Sequence, residues 1–200
     1  MKYQNKDTKI EVPIEISARH IHLSQQDKDV LFGVNYQFNK MRDVSQPNQY
    51  ATQEVLKIKG PKNIFDSVRI VAPVRKKTQV EISITDAYVL GIKRPPVLVS
   101  GDLDNSVGGV ELIGPKGSII LNKGIIVSKR HLHIQPKLAK KYGIKNRDIV
   151  SIYIDSDRSV VFNNVIVRSK LGVDKFSFQI DTDEANAAFI DAATKGYLLK

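Results

Sequence analysis

Four histidines occur in the 200 residues, and all four lie in two copies of one tetrapeptide, Arg19-His20-Ile21-His22 and Arg130-His131-Leu132-His133. Neutral imidazole is the commonest side-chain metal ligand. On an extended strand, residues i and i+2 point to the same side, so each Arg-His-x-His is a potential pair of pincers. Confining every histidine to a duplicated motif favours metal binding over two hydrogen-bonded surface pairs. Four imidazoles and a carboxylate could fill one closed site or serve two open, neighbouring ones. The pattern points to a metal site built between two related halves.

The elements around the two copies repeat as well. Ile14-Glu15-Ile16-Ser17 leads into the first and Ile125-Ile126-Val127-Ser128 into the second. After the first, Ser24 and Asp27 have the spacing of an N-cap pairing, and a helix from there reaches Gly33. After the second, Pro136 suits a first helical turn and Gly143 a helix end. Each unit reads strand, histidine pair, short helix, glycine stop. Its spacing of 111 residues between copies is too long for a solenoid and fits two structurally related domains.

Elsewhere the chain is strand-like. Val- and Ile-rich stretches run over 67–74, 79–84, 97–100, 110–113, 118–121, 148–154, 160–167 and 176–180. Gly114-Pro115-Lys116-Gly117 is a strong turn signal, and Asp155-Ser156-Asp157-Arg158 reads as a hairpin loop. Thr182-Asp183-Glu184 opens a predicted helix through Ala193, its acids complementing the helix dipole; capping accounts for Asp181, Asp183 and Glu184 more simply than catalysis. Many short strands and few long helices indicate barrels or sandwiches. The segment 36–62 is polar and weakly patterned, and an excursion or mobile region is expected there.

Composition bounds the chemistry. Cysteine is absent, which rules out disulfides, thiolate ligands and a cysteine nucleophile. Met1–Lys9 is polar with no signal-peptide core, and no apolar run approaches the ~18 residues of a membrane span. A cytoplasmic protein without membrane association is expected. The net charge of +10 favours anionic partners. The basic residues are dispersed and form no stripe with interleaved aromatics, so nucleic acid is not expected as a partner.

Several stretches taken together resemble the phosphate propanoyltransferase (PduL-type phosphotransacylase) family. They are Ser17-Ala-Arg-His-Ile-His-Leu-Ser24, Thr78-Gln-Val-Glu-Ile-Ser-Ile-Thr-Asp86, Ser100-Gly101-Asp102, Gly114-Pro115-Lys116-Gly117, Ser128-Lys-Arg-His-Leu-His133 and Ile180-Asp-Thr-Asp-Glu-Ala-Asn-Ala187. They stand in the family's order and span nearly the whole chain. The resemblance implies a mainly β fold with short α-helices: two related, pseudo-duplicated β-barrels capped by helices. It places 9–18 with 129–200 in one barrel and 19–128, including the polar excursion, in the other. It implies a phosphate acyltransferase that moves a short acyl group, acetyl or propanoyl, between coenzyme A and inorganic phosphate with zinc assistance, and it implies a homodimer.

Residue by residue, His20, His22 and Glu81 match the family's ligands for one zinc, and His131 and His133 match two ligands of the other. Arg75 matches a phosphate-binding, catalytic arginine, for which a guanidinium fork is suited. The family usually has a third histidine where Gln179 stands here, and an arginine at the position of Leu98. With those departures, one or two zinc ions per chain are expected. The alternative is a catalytically impaired relative serving as a zinc-binding or scaffold protein. Arg19 and Arg130 could orient substrate, buttress the histidine pairs or be merely structural.

Overall fold

A computed structural model describes residues 10–170 and 175–199. Lys9, expected to open the first strand, Lys200, and the rest of the polar start lie outside them. The described residues form sixteen strands and four short helices. The strands are β1 (Ile10–Val12), β2 (Ile14–Ser17), β3 (His20–His22), β4 (Lys40–Asp43), β5 (Tyr50–Lys59), β6 (Ile64–Ala72), β7 (Gln79–Glu81), β8 (Val97–Leu98), β9 (Val110–Ile113), β10 (Ser118–Leu121), β11 (Ile125–Ser128), β12 (His131–His133), β13 (Ile149–Asp155), β14 (Val160–Arg168), β15 (Ser177–Asp181) and β16 (Lys195–Leu199). The helices are α1 (Gln25–Phe32), α2 (Ile84–Leu90), α3 (Pro136–Lys141) and α4 (Thr182–Ala187).

The chain divides after Ser17 and after Ser128 into two compact units, the parts flanking Ala18–Ser128 forming one and Ala18–Ser128 the other. Each is a curled, barrel-like sheet, so the fold is mainly β with short helices. The flanking unit has the strand order β1-β16-β13-β14-β12-β15-β2, and the central unit β10-β9-β5-β6-β3-β7-β11-β8 with β4 beside β5. The flanking core gathers Val12, Leu132, Ile152, Val165 and Phe178. The central core gathers Ile21, Leu56, Ile70, Leu90 and Leu112.

Both histidine strands obey the two-residue period of a sheet. Ile21 and Leu132 are wholly buried and anchor their strands in the two cores, which turns the flanking histidines to the opposite face. The helix after β3 starts at the expected place: Ser24 Oγ accepts from Asp27 N at 3.1 Å and Gly33 ends it. The turn at Gly114–Gly117 joins β9 to β10 and lies against the end of α1, with Lys116 N donating to Leu31 O at 3.0 Å. A Cβ on Gly114 would fall 2.5 Å from the Leu31 carbonyl oxygen, so the close approach requires glycine there.

Three readings of the sequence need correction. The polar segment 36–62 is no excursion. It contains β4 and the ten-residue β5, which pairs with both β6 and β9. Its polarity is that of a one-sided strand: Leu56 and Ile58 are buried while Lys57 and Lys59 are exposed. The strand read over 79–84 ends at Glu81 and gives way to α2, which Ser83 caps and Gly91, in the left-handed conformation, terminates. The helix read through Ala193 stops at Ala187, and Phe189 takes a positive φ of 50°.

α2 and α4 each begin in a reciprocal capping box. Ser83 Oγ accepts from Asp86 N at 3.1 Å while Asp86 Oδ2 accepts from Ser83 N at 3.2 Å. Asp181 and Glu184 repeat the exchange at 2.8 and 3.2 Å. A helix of seven residues has little stability of its own, so the cap carries much of its start. Ser83→Ala should lower unfolding free energy by about 1 kcal/mol, read from urea denaturation of the purified chain.

Candidate metal centre and the two histidine strands

β3 runs between β6, parallel to it, and β7, antiparallel to it, in a register that sets His20 opposite Glu81. The histidines share a face, and the carboxylate comes from the neighbouring strand. His20 Nε2 lies 3.7 Å and His22 Nε2 3.9 Å from Glu81 Oε1. The three donor atoms are within 4.8 Å of one another, and among the described residues no other group of three or more His, Cys, Asp or Glu ligand atoms is so close.

The backbone fixes which nitrogen faces the carboxylate. His20 Nδ1 is 2.9 Å from Ala18 O and His22 Nδ1 3.0 Å from Val71 O. A carbonyl only accepts, so both Nδ1 atoms carry a proton and both Nε2 atoms face Glu81. Burial, the charge of His20 and the guanidinium of Arg75 depress the pKa of His22 to about 3. Burial would raise Glu81, but the imidazoles of His20 and His22 and hydrogen bonds from Ser100 and Ser128 outweigh it and bring the carboxyl to about 2. At neutral pH the set holds a neutral His22 and a carboxylate.

This donor set suits zinc. Four ligands at ~2.0–2.1 Å in a tetrahedron stand about 3.3–3.4 Å apart, so the two histidine-to-Glu81 distances would need to close by about half an ångström. The set would supply three protein ligands of the preferred types and leave a fourth position for water or substrate.

A hydrogen-bonded polar group surrounds Glu81. Ser100 Oγ donates to Glu81 Oε1 at 2.7 Å, and Gln79 Nε2 donates to Ser100 Oγ at 2.9 Å. Gln79 Oε1 in turn accepts from Gly101 N at 2.8 Å. Arg75 Nη1 donates to Ser100 Oγ at 3.1 Å and its Nη2 to Gln49 Oε1 at 3.2 Å, while its backbone N donates to Leu23 O at 2.7 Å. A guanidinium is thus held one hydroxyl away from the carboxylate. Leu98 sits on β8 opposite Ser128, at the edge of this group.

Sequence reasoning picked out Arg75 and Glu81 but missed Gln79, Ser100, Ser128 and Gln49. Gln79 could have been found, since it is two residues before Glu81 and so on the same face of the strand. Gln49 gave no signal, lying in the segment read as an excursion.

The second histidine strand repeats the first. β12 runs between parallel β14 and antiparallel β15, and His131 stands opposite Gln179. Gln179 therefore occupies the register position of Glu81. The repeat continues along the chain: Glu81-Ile82-Ser83-Ile84-Thr85-Asp86-Ala87 corresponds to Gln179-Ile180-Asp181-Thr182-Asp183-Glu184-Ala185. Each motif arginine ties its pair to the adjoining helix. Arg19 Nε donates to Asp86 Oδ1 at 2.9 Å and its guanidinium lies 4.4 Å from the Phe65 ring centroid. Arg130 Nε is 2.7 Å from Glu184 Oε1 and its guanidinium 5.1 Å from the Phe162 centroid. These contacts tie both arginines to helix-cap carboxylates.

The donors differ between the halves. His131 Nε2 and His133 Nε2 lie 3.0 Å apart, and His131 Nδ1 is 2.9 Å from Lys129 O. Burial, His131 and Arg168 depress the pKa of His133 to about 3, against a hydrogen bond with Gln179 that raises it. The third residue is an amide whose Nε2 donates to Glu15 Oε2 at 3.0 Å.

No helix among the described residues is long and apolar enough to cross a membrane. Residues 13–191 match the family model described as phosphate propanoyltransferase. Curated relatives bear that name, among them the following three. The Thermotoga maritima protein is 44% identical over an alignment covering 94% of this chain and 88% of the relative. The Rhodobacter capsulatus protein is 43% identical over 88% of this chain and 80% of the relative. The Listeria monocytogenes protein is 42% identical over 94% and 87%. With one match running through both sheets and both histidine strands, the chain belongs to the phosphate propanoyltransferase family.

Proposed function

We propose that this chain transfers a short acyl group, acetyl or propanoyl, between coenzyme A and inorganic phosphate, with zinc held by His20, His22 and Glu81 and phosphate held by Arg75. Membership of the family supports the reaction. The observation that carries the site assignment is the Arg75–Ser100–Glu81 relay, which keeps an anion-binding guanidinium beside a three-donor metal set.

In the forward direction a phosphate oxygen attacks the thioester carbonyl carbon. The new C–O bond forms, the C–S bond breaks, and coenzyme A leaves as a thiolate that takes a proton on release. Both reactants are anions, so the chain must supply positive charge where they meet. Arg75 does so for phosphate through a planar fork matched to two oxygens, and Ser100 and Gln49 fix the direction of that fork. A bound zinc ion supplies Lewis-acid stabilisation of developing negative charge and lowers the cost of thiolate departure. The two imidazoles with Ser100 and Ser128 keep Glu81 ionised, and hydrogen bonds from Ser100 and Gln79 hold it in place, so the ligand set is preorganised. The proposed reaction should appear as phosphate-dependent release of free thiol from acetyl- or propanoyl-coenzyme A. No thiol release from either, at saturating zinc and phosphate, would reject the reaction.

Gln179 favours a second reading, an impaired relative that keeps metal only around Glu81. The thiol assay separates the two readings, since that relative binds zinc without turnover. Arg75→Ala should raise the KM for phosphate by about 10–100-fold, with a smaller change in the KM for acyl-coenzyme A, the loss expected for a charge-assisted bidentate contact. In a separate measurement, His22→Ala and Glu81→Gln should each remove about one zinc per chain by elemental analysis, with circular dichroism unchanged. Unaltered zinc content in both variants would overturn the ligand assignment.

A further inference from the structure

We infer that the half built on His131 and His133 takes its third donor from a pair of residues: Glu15 holds the side-chain amide of Gln179 with its carbonyl oxygen turned to the histidines, and so acts as a positioning residue for metal there. This rests on the zinc reading above and extends it to the half where the family's third histidine is missing.

The orientation of the amide follows from chemistry. A carboxylate only accepts, so the end of the Gln179 side chain that meets Glu15 Oε2 at 3.0 Å is the nitrogen, and Oε1 is the opposite end. Gln179 also shares a side-chain hydrogen bond with His133, and with its nitrogen on Glu15 the amide oxygen is the end turned toward the histidine strand. Register places the three side chains in a row. His131 is opposite Gln179 across the β12–β15 pair, and Gln179 is opposite Glu15 across the β15–β2 pair. Gln179 is only 6% exposed, so the amide is held among protein groups. Ser177, which pairs with His133, adds a second buried oxygen on the same face, and its Oγ has no hydrogen-bond partner among the described residues.

The other half supplies the control. There the strand residue is itself anionic, Glu81, and its neighbour on the next strand is apolar Ile126. Here the strand residue is neutral and its neighbour is Glu15. The negative charge is kept but moved one strand outward, where it polarises an amide oxygen in place of ligating directly. A neutral amide, even one backed by a carboxylate, is a weaker donor than the Glu81 carboxylate, so this half binds the more exchangeable of two zinc ions.

Chelator competition on the zinc-loaded protein tests this without an activity readout. The wild type should show two classes of zinc, and His131→Ala should abolish the weaker one. Glu15→Gln, which keeps the shape and removes the charge, should weaken that class by about 10–100-fold, the effect of losing an outer-sphere partner, and leave the tighter class unchanged. Glu15→Leu should do the same or more. In a Gln179→Ala background, Glu15→Gln should change affinity less than about twofold, since the residue it acts through is gone. Unchanged affinity in both Glu15 variants would overturn the inference. An undiminished Glu15→Gln effect in the Gln179→Ala background would also overturn it, showing that Glu15 contacts the metal directly. A single zinc class that His131→Ala leaves intact would overturn it and spare the first site, whereas no zinc at either half would overturn the zinc reading too.

Discussion

The two-residue period of a three-residue strand sets the layout of both halves. The middle residue of each His-x-His goes wholly into a core, Ile21 in one unit and Leu132 in the other, and the imidazoles have no choice but to share the other face. A one-residue slip would bury the histidines in the core and expose an aliphatic side chain. The hydrophobic anchor therefore sets the geometry of each histidine pair. The neighbouring strands complete the specification: an antiparallel partner brings a polar side chain, Glu81 or Gln179, opposite the first histidine, and two residues later that partner caps a helix.

The duplication is deeper than the tetrapeptide. It covers register, the capping box, the arginine tied to the box and the aromatic ring beneath that arginine. The arginine pairs are partly exposed, 42% and 33% on the arginine side chains, so solvent screens them and their worth is geometric more than energetic. On this shared skeleton the halves diverge where chemistry is decided, at Glu81 against Gln179 and at Ile126 against Glu15. A skeleton that holds orientation by backbone and caps tolerates such exchanges, because no single ligand is needed to keep the strands in place.

Much of this was legible in the sequence, for physical reasons. The histidine spacing, Ser24 with Asp27, and the Gly114–Gly117 turn are local signals whose meaning depends on a few adjacent residues. The start of α4 was readable from its acids, but its end was not, because Phe189 adopts a positive φ that its residue type disfavours. Strand β5 was hidden because an antiparallel strand with one solvated face has the composition of a loop. α2 was hidden because Val80 and Ile82 continue the alternation of a strand into the cap at Ser83. The polar group around Glu81 joins residues from four stretches of chain, Gln49, Arg75 with Gln79, Ser100 and Ser128. Only the curling of the sheet brings them together.

The placement of β1 and β2 has a consequence for how the protein is made. Their partners are β16 and β15, and Glu15 meets a residue 164 positions further along the chain. The intervening residues 18–128 form a self-contained sheet. During synthesis at roughly 5–20 residues per second, that sheet can close while β2 waits on the order of ten seconds or longer for β15 to leave the ribosome. Until then an aliphatic strand with unpaired amides is exposed, the kind of edge to which other chains add. Glu11 and Glu15 place charge on that waiting segment, and Pro13 interrupts its row of amide donors. The residue that meets Gln179 in the finished protein thus also keeps a charge on the strand while it waits.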